Sequence, residues 1–304
     1  MRVLLAGATG AIGRPLVRRL RSDGHDVIAM VRSNDSATAI TADAAEAVIA
    51  DALDAAAVRA AVERVRPDVI INELTSLPLH YTPSEMKAAA ERDGRVRLEG
   101  NRNLLAAGLT TGVRRFLVQS SGFWYAPGSG LATEAEPFAF DASPAIAAGS
   151  RRYAELESQI LGRSDIFGVA LRYGFFYGPG TWYTPEGDIG DQVRSGQLSV
   201  IGTGSAVCSW IHIEDAANAT AAALESPPGA YNIVDGDPVE QRVWLPAFAR
   251  LCGAPPPPHL SEEEALSAFG ADAVYYAMRL RGASNQKAVQ QLDFHPRRLE
   301  WLAG

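Results

Sequence analysis

The feature that most constrains the fold is a run of three glycines that follows the first apolar segment. Residues 3–6 are apolar, and Gly7, Gly10 and Gly13 come directly after them, where a helical pattern begins. In such a run the first glycine permits a tight turn, the second lets the backbone approach an anion, and the third lets helix and strand touch. The N-terminus of the helix then offers unpaired N–H groups and a partial positive charge. The segment therefore predicts a strand–turn–helix unit that holds the pyrophosphate of a dinucleotide.

Short apolar segments recur through the first half of the chain, with longer amphipathic stretches between them. Apolar residues on both faces are typical of strands buried inside a parallel sheet that helices cover. Their alternation with helical patterns predicts an α/β fold with a doubly wound parallel sheet of the Rossmann type. The apolar segments are residues 3–6, 27–31, 47–50, 69–71, 116–118 and 169–171.

The second half of the chain has a different pattern. Beyond Arg172 the spacing is irregular, so we expect a dinucleotide-binding domain over residues 1–172 and a smaller substrate-binding lobe over residues 173–304, packed on the first and partly interleaved with it. Residues 126–149 are rich in glycine, proline and alanine and predict a long connection that shapes the site. Ser261, followed three positions later by a glutamate, predicts a capped helix start.

Composition excludes several classes of protein. The net charge is −7 and no block of lysine and arginine stands out, which argues against nucleic acid or an anionic membrane as the main partner. No apolar run approaches the roughly 18 residues of a membrane helix, and the first residues do not form an export signal. The two cysteines and five histidines show no metal-ligand spacing. We expect a cytoplasmic protein without a metal site that acts on a small molecule, in an oligomeric state that the sequence leaves open.

The choice between the two nicotinamide dinucleotides depends on the residue that ends the second strand. NAD-binding folds usually carry an acidic residue there, which accepts a hydrogen bond from the ribose 2′-hydroxyl. This chain has Arg32, which suits a 2′-phosphate, so we favour NADP(H) over NAD(H). Asp51 follows the third strand and is placed to accept from the adenine amine. The alternatives are a solvated surface arginine and an aspartate that caps a turn.

Several further segments resemble the extended or atypical short-chain dehydrogenase/reductases of the NAD-dependent epimerase/dehydratase type. The resemblance covers nearly the whole chain and implies a nicotinamide cofactor and a small-molecule substrate. It rests on the glycine run and on NLLA at 103–106, FLVQSS at 116–121, LRYGFFYGPG at 171–180, WIHIED at 210–215 and YNI at 231–233. The cofactor-binding residues are then expected to be Gly7, Thr9, Gly10, Ala11, Ile12, Gly13, Arg32, Asp51, Leu74 and Tyr173.

The resemblance also implies a catalytic centre, and here the chain departs from the pattern. The family pairs a serine or threonine with Tyr-x-x-x-Lys, whose lysine lowers the tyrosine pKa and holds the nicotinamide ribose. Ser121 matches the hydroxyl position. The chain has only two lysines, Lys87 and Lys287, and the positions four residues before them are Pro83 and Ala283, so the motif is absent.

Tyr153 is the remaining candidate for a catalytic acid. Glu157 follows it by four residues and would raise the tyrosine pKa. If Glu157 or Ser158 matches the family's downstream glutamate, the family tyrosine falls near Gly149 or Ser150, and Tyr153 falls near the lysine. Arg97 stands where the family commonly has an asparagine that supports that lysine.

Aromatic residues beside these segments are candidates for the substrate pocket. Phe123 and Tyr125 follow the serines, and Tyr177 and Trp182 flank a Gly-Pro-Gly turn. Such rings could stack on a flat substrate, and the alternative for each is simple packing in the core.

Three functions remain open on the sequence. The first is an NADPH-dependent ketoreductase of an aromatic or polyketide-like substrate, since atypical family members without the pair include ketoreductases of aromatic polyketide antibiotic biosynthesis. An acid contributes about 3–5 kcal/mol and orientation of the reactants about 7–11 kcal/mol, so reduction could proceed without the acid. The alternatives are a nucleotide-sugar epimerase or dehydratase that retains NAD, and a binding protein that senses NADP(H) without turnover.

Overall fold

The computed structural model describes residues 1–41 and 46–302. Its strands are β1 (Arg2–Ala6), β2 (Asp26–Val31), β3 (Glu46–Ile49), β4 (Val69–Asn72), β5 (Arg115–Ser121), β6 (Phe167–Tyr173), β7 (Phe175–Tyr177), β8 (Val200–Ile201), β9 (Val207–Cys208), β10 (Trp210–His212), β11 (Gly229–Ile233), β12 (Val239–Glu240) and β13 (His259–Leu260). Its α-helices are α1 (Gly13–Ser22), α2 (Asn34–Thr41), α3 (Ala55–Val65), α4 (Pro83–Thr111), α5 (Pro144–Ser158), α6 (Asp188–Arg194), α7 (Ile213–Ala222), α8 (Gln241–Leu251), α9 (Glu262–Phe269), α10 (Ala271–Met278) and α11 (Gln286–Leu292). A 3-10 turn at Glu300–Leu302 ends the described chain.

A seven-stranded parallel sheet organises the molecule, in the order β11-β6-β5-β4-β1-β2-β3. All six predicted strands belong to it, so the expected doubly wound α/β fold is confirmed. One face packs on α1 and α7 through side chains such as Leu16 and Ala216. The other face packs on α3, α4 and α5 through Val62, Leu104 and Leu156. Because the apolar residues of the strands alternate between these two cores, every central strand is buried on both sides.

The second half of the chain returns to this sheet. Strand β11 pairs with β6, with Gly229 opposite Val169 and Ile233 opposite Tyr173. The segment after residue 172 therefore supplies the edge strand of the sheet as well as a separate core. That third core is rich in aromatic side chains, among them Trp210 and Trp244, whose ring centroids lie 5.0 Å apart. The division into two domains at residue 172 stays a prediction.

Two local expectations can be compared with the structure. The connection expected over residues 126–149 is wrong at its end, because α5 begins at Pro144. Proline suits the first turn of a helix, where its missing N–H would have no partner. The capped helix start is confirmed, since the Ser261 hydroxyl accepts from the Glu264 N–H at 3.2 Å while the Glu264 carboxylate accepts from the Ser261 N–H at 2.8 Å.

Neither a membrane span nor a metal cluster is found in the part of the chain that the structure describes. No helix there combines the length and the apolar character needed to cross a bilayer. No group of three or more potential metal-ligating side chains comes together there either.

Candidate cofactor and active site

The turn between β1 and α1 is packed so closely that Gly7 and Gly13 leave no room for a side chain. Gly7 has a φ of +93°, and a Cβ placed on it would lie 2.6 Å from the carbonyl oxygen of Glu73. A Cβ on Gly13 would lie 2.2 Å from the carbonyl oxygen of Gly7. The Gly10 N–H closes the turn by donating to that same oxygen at 3.0 Å. The backbone thus forms a tight cradle directly at the end of β1.

The exposed rim of this cradle fits a dinucleotide pyrophosphate. Thr9, Gly10 and Ala11 are exposed, whereas Ile12 is buried and anchors the turn in the core. No side chain among the residues described caps the N-terminus of α1, and its first turn contains no acidic residue. Free N–H groups and an absence of negative charge are what a phosphate requires at a helix start.

Arg32 and Asp51 lie at the same edge of the sheet, after the adjacent strands β2 and β3. Arg32 is exposed and directly follows β2. One carboxylate oxygen of Asp51 accepts from the Leu53 N–H at 3.0 Å, as in a capped turn. The predicted roles of these two residues toward a 2′-phosphate and an adenine remain predictions.

A buried carboxylate follows β4, and the sequence reasoning missed it. The hydroxyl of Tyr173 donates to Glu73 Oε1 at 2.9 Å and lies 2.6 Å from the Thr220 hydroxyl. Glu73 Oε2 is buried and has no hydrogen-bond partner within the described chain. Burial raises the pKa of Glu73 to about 8, against the smaller lowering effects of Tyr173 and Arg97. A glutamate placed directly after an apolar strand was the signal that could have found it.

Two of the predicted cofactor residues surround this carboxylate. Leu74 is half-buried, and its N–H donates to the Asn72 side chain at 3.1 Å. Tyr173 is buried and packs against Phe176, with ring centroids 5.2 Å apart. The Leu74 nitrogen would lie 3.1 Å from a Cβ on Gly7, so the segment after β4 borders the glycine turn.

The two serines that end β5 have different surroundings. Ser120 faces α5 and donates to Glu157 Oε1 at 2.6 Å. Arg172 binds the same carboxylate through two hydrogen bonds, of 2.8 Å and 2.7 Å. Ser121 Oγ is buried and finds no partner among the residues described. Ser121 therefore keeps a free hydroxyl at the edge of the sheet, as expected of a group that binds a ligand.

Glu157 was predicted to raise the pKa of Tyr153, and this cause is wrong. The pKa of the Tyr153 phenol is raised as expected, but burial causes the shift, while Arg97 lowers it. The Glu157 carboxylate is neutralised by Arg172 and plays no part.

The indole of Trp124, which follows β5, and the buried phenol of Tyr153 on α5 lie close together in this part of the site. A Cβ on Gly149 would lie 2.1 Å from the ring of Trp124, so the indole occupies the space that any side chain at this position would need. The rings of Trp124 and Tyr153 lie 5.6 Å apart. The guanidinium of Arg97 lies over the Tyr153 ring, 5.2 Å from its centroid.

Arg97 is a buried cation held by its own helix. Its Nε donates to Asp93 Oδ2 at 2.8 Å, and Asp93 Oδ1 accepts from the Ser76 N–H at 2.7 Å. Burial opposes the charge, but Tyr153 and Asp93 hold the pKa of Arg97 above the ordinary value of arginine. Its Nη1 is buried without a hydrogen-bond partner in residues 1–41 and 46–302.

The four predicted substrate residues do not form one group. Phe123 is half-buried and stacks on Phe175 with centroids 4.3 Å apart. Tyr125 is fully buried, and its hydroxyl donates to Asn232 at 2.5 Å and accepts from Arg172 at 2.8 Å. In this position Tyr125 has the surroundings of a packing residue.

The other two lie in the second half of the molecule. Tyr177 is buried against Trp301, with ring centroids 5.0 Å apart. Trp182 is half-buried; its indole N–H donates to the Leu79 carbonyl at 2.9 Å, and its ring lies 4.8 Å from Tyr81. Trp182 thus contacts the connection between β4 and α4.

Comparisons with known proteins agree with this arrangement. The chain is 40% identical over 308 aligned positions to a 3-diazoavenalumate denitrifying reductase of a Streptomyces species, covering 100% of this chain and 99% of the relative. It is 27% identical over 271 positions to a 2-alkyl-3-oxoalkanoate reductase of Stenotrophomonas maltophilia, covering 84% and 77% of the two chains. Two relatives named as reductases support an NAD(P)-dependent oxidoreductase.

Solved structures share the fold at low sequence identity. A UDP-glucose 4-epimerase of Thermotoga maritima superimposes with a TM-score of 0.76 at 18% identity, covering 99% of this chain and 95% of that one. The UDP-glucose 4-epimerase of Thermus thermophilus, solved with NAD, gives 0.72 at 22% identity, covering 99% and 96%. The profile of the NAD dependent epimerase/dehydratase family matches residues 3–234. The chain therefore belongs to the NAD-dependent epimerase/dehydratase family.

Proposed function

We propose that the protein is an NADPH-dependent reductase of an aromatic diazo compound, which it converts to the arene with release of dinitrogen. The observation that carries this proposal is the missing acid. Trp124 fills the space beside Gly149, and Tyr153 lies buried beneath Arg97, so no phenol–ammonium pair is present at this position of α5.

The two candidate reductions differ in what they demand of the protein. A ketone becomes an alcohol by gaining a hydride at carbon and a proton at oxygen. An arenediazonium becomes an arene when hydride replaces the nitrogen group, so Ar–N₂⁺ and H⁻ give Ar–H and N₂ without a proton. The dinucleotide, when bound, supplies the hydride. A positioned acid raises the rate of ketone reduction by about 10²–10⁴-fold. Because the diazo reaction takes up no proton, the absence of the acid does not slow it.

The surroundings support an aromatic substrate. Phe123 follows β5 and Phe175 begins β7, and their stacked rings lie at the end of the sheet where Ser121 keeps its free hydroxyl. Flat rings in such a half-buried stack favour another flat ring. The relative that is 40% identical over the whole chain is named for a diazo substrate and its denitrification, which supports the same acceptor class.

The proposed cofactor is NADPH because of Arg32. An exposed guanidinium at the end of β2 suits the 2′-phosphate that NADPH carries and NADH lacks. The glycine cradle supports either dinucleotide and does not distinguish them.

Ketone reduction is the second candidate, and Ser121 favours it. A free, buried hydroxyl can donate to a carbonyl oxygen and stabilise the negative charge that develops there. The relative named as a 2-alkyl-3-oxoalkanoate reductase supports this class of acceptor at lower identity.

The test offers the purified protein NADPH with either an ¹⁵N-labelled hydroxyarenediazonium or an aryl ketone. We expect NADPH oxidation together with labelled dinitrogen, measured by mass spectrometry of the headspace, above the rate with heat-denatured protein. Alcohol formed from the ketone without dinitrogen would replace the first candidate with the second. If NADPH is oxidised with neither the diazonium nor the ketone, both candidate functions are excluded.

Ser121→Ala separates the two chemistries within one site. We expect about a tenfold loss of kcat on a ketone, since one hydrogen bond to the oxyanion is lost, and less than about a twofold change on the diazo compound. The matched control is Ser158→Ala, which removes an exposed hydroxyl of α5 that bonds only the Glu155 carbonyl. A tenfold loss on both substrates would give Ser121 a role in positioning rather than in protonation.

A further inference from the structure

The buried guanidinium of Arg97 on α4 has one nitrogen whose partner nothing above explains. Arg97 is buried, its Nε is used by Asp93, and its Nη1 has no acceptor within the described parts of the chain. A buried donor without a partner destabilises the fold, and more so when the group is charged. Native proteins rarely keep such a group unless something absent from the chain completes it.

The position of Arg97 indicates which ligand completes it. Asp93 connects Arg97 to the Ser76 N–H, and Ser76 belongs to the segment that follows β4. That segment begins with Glu73, whose carbonyl borders the glycine turn. Arg97 is thus linked by two hydrogen bonds to the backbone that flanks the dinucleotide cradle.

The charges around Arg97 further limit which kind of acceptor group can bind its free Nη1. Asp93 already balances the guanidinium, so the free Nη1 does not need an anion. Glu73 also lies near enough to interact with Arg97, but no hydrogen bond joins them. The partner that fits is a neutral acceptor oxygen, such as a hydroxyl, brought by the ligand.

We propose that Arg97 Nη1 donates a hydrogen bond to a ribose hydroxyl on the nicotinamide half of the bound dinucleotide. In this arrangement a cation on α4 holds the sugar, while the aromatic ring of Tyr153 on α5 supports the guanidinium from one side. Arg97 becomes a cofactor-binding residue, although no residue of α4 was among those predicted. This inference rests on the dinucleotide site of the proposed function but not on the identity of the reducible substrate.

The experiment measures NADPH binding without turnover, by the fluorescence of the reduced nicotinamide. We expect Arg97→Met to weaken NADPH at least tenfold. The same variant should bind 2′,5′-ADP as tightly as the wild type, because this fragment lacks the nicotinamide ribose. The matched control is Arg95→Met on the same helix, an exposed arginine that pairs with Glu99 at 3.0 Å, and it should change neither affinity.

Each other outcome has a definite meaning. Equal NADPH affinity in the wild type and Arg97→Met overturns the proposal, and a raised KM for the reducible substrate would then place the acceptor oxygen on that substrate. Equal weakening of NADPH and 2′,5′-ADP also overturns it, because the change would be structural. A wild type that binds no NADPH contradicts the proposed function itself. If the single variant does not fold, Asp93→Asn with Arg97→Met removes both charges together, and the same two affinities decide.

Discussion

The glycine turn after β1 and the helix α5, which packs on one face of the same sheet, follow the family pattern to different degrees. The turn keeps all three glycines, and at Gly7 and Gly13 backbone atoms lie within 3 Å of where a Cβ would be. At α5 the work would be done by side chains, and Gly149 and Tyr153 are the residues that one alignment predicts at the positions of the family's pair. Backbone geometry at the turn and side-chain identity at α5 are therefore specified separately, and the second can change while the fold stays intact.

The altered region is nonetheless well packed. Trp124 fills the space beside Gly149, and its indole N–H donates to the Tyr276 hydroxyl at 3.0 Å. The Glu157 carboxylate is held by Arg172 and Ser120, so the base of α5 is fixed to the sheet. The space beside Gly149 is therefore filled by the ring of Trp124 rather than left as a gap.

Gly13→Ala should have the largest effect on NADPH affinity, because it changes the glycine turn, the region that keeps the family pattern. The new methyl group would meet the Gly7 carbonyl oxygen at 2.2 Å and the Ala8 backbone at 2.5 Å, and backbone atoms cannot yield as a flexible side chain does. We expect NADPH affinity to fall by about 100-fold or more, measured by fluorescence titration. Gly236→Ala is the control, since no atom lies within 4 Å of its added methyl group. An unchanged affinity would remove the turn from the binding site.

Arg32→Glu should have the next largest effect on dinucleotide affinity. It tests whether the site beside the glycine turn prefers NADPH or NADH. Replacing the guanidinium by a carboxylate removes a charge-assisted contact of about 1.5–3 kcal/mol. We expect the ratio of NADPH to NADH affinity to fall by about 10–100-fold, with NADH affinity retained. Arg59→Glu, an exposed arginine of α3, should leave the ratio unchanged. A constant ratio in both variants would make Arg32 an ordinary surface arginine.

Glu73→Gln comes last because its expected effect is on the pH dependence of stability rather than on dinucleotide affinity, and it concerns the buried carboxyl that follows β4. Burial raises the pKa of Glu73 from 4.5 to about 8, so between these values the native state keeps a proton that the unfolded chain has lost. The free energy of unfolding then falls as pH rises through this window, by at most about 1.4 kcal/mol per pH unit, and levels off above it. Glutamine keeps an acceptor for the Tyr173 hydroxyl and removes the titration.

The measurement compares urea unfolding of the wild type and Glu73→Gln at about pH 5 and about pH 9. We expect the variant to gain stability relative to the wild type as pH rises. Glu63→Gln, on the exposed face of α3, should follow the wild type. Parallel pH dependence of the wild type and Glu73→Gln would show that Glu73 is ionised in the native protein across this range.

Much of the fold could be predicted because its signals are local. The strands from β1 to β6 are apolar runs that water drives into the core, and the glycines after β1 have few alternative explanations. Strand β11 was not predicted, because it pairs with β6 across more than fifty intervening residues. The sequence of a five-residue segment does not indicate which distant strand it will pair with. The start of α5 was misplaced because Pro144 follows a stretch of the same small residues that fill its first turns.

The sequence by itself determined the family, the doubly wound sheet, the glycine cradle and the absence of a Tyr-x-x-x-Lys pair, because each depends on residue type at short spacing. Only the tertiary structure decided what stands in the altered site. It brought the ring of Trp124 from the end of β5 against Gly149, and the guanidinium of Arg97 from α4 over Tyr153. It also buried Glu73 beside Tyr173, a hundred residues away in the chain. Burial and long-range contact set the charge and the free hydrogen bonds of these groups, and neither is encoded in any local pattern of residues.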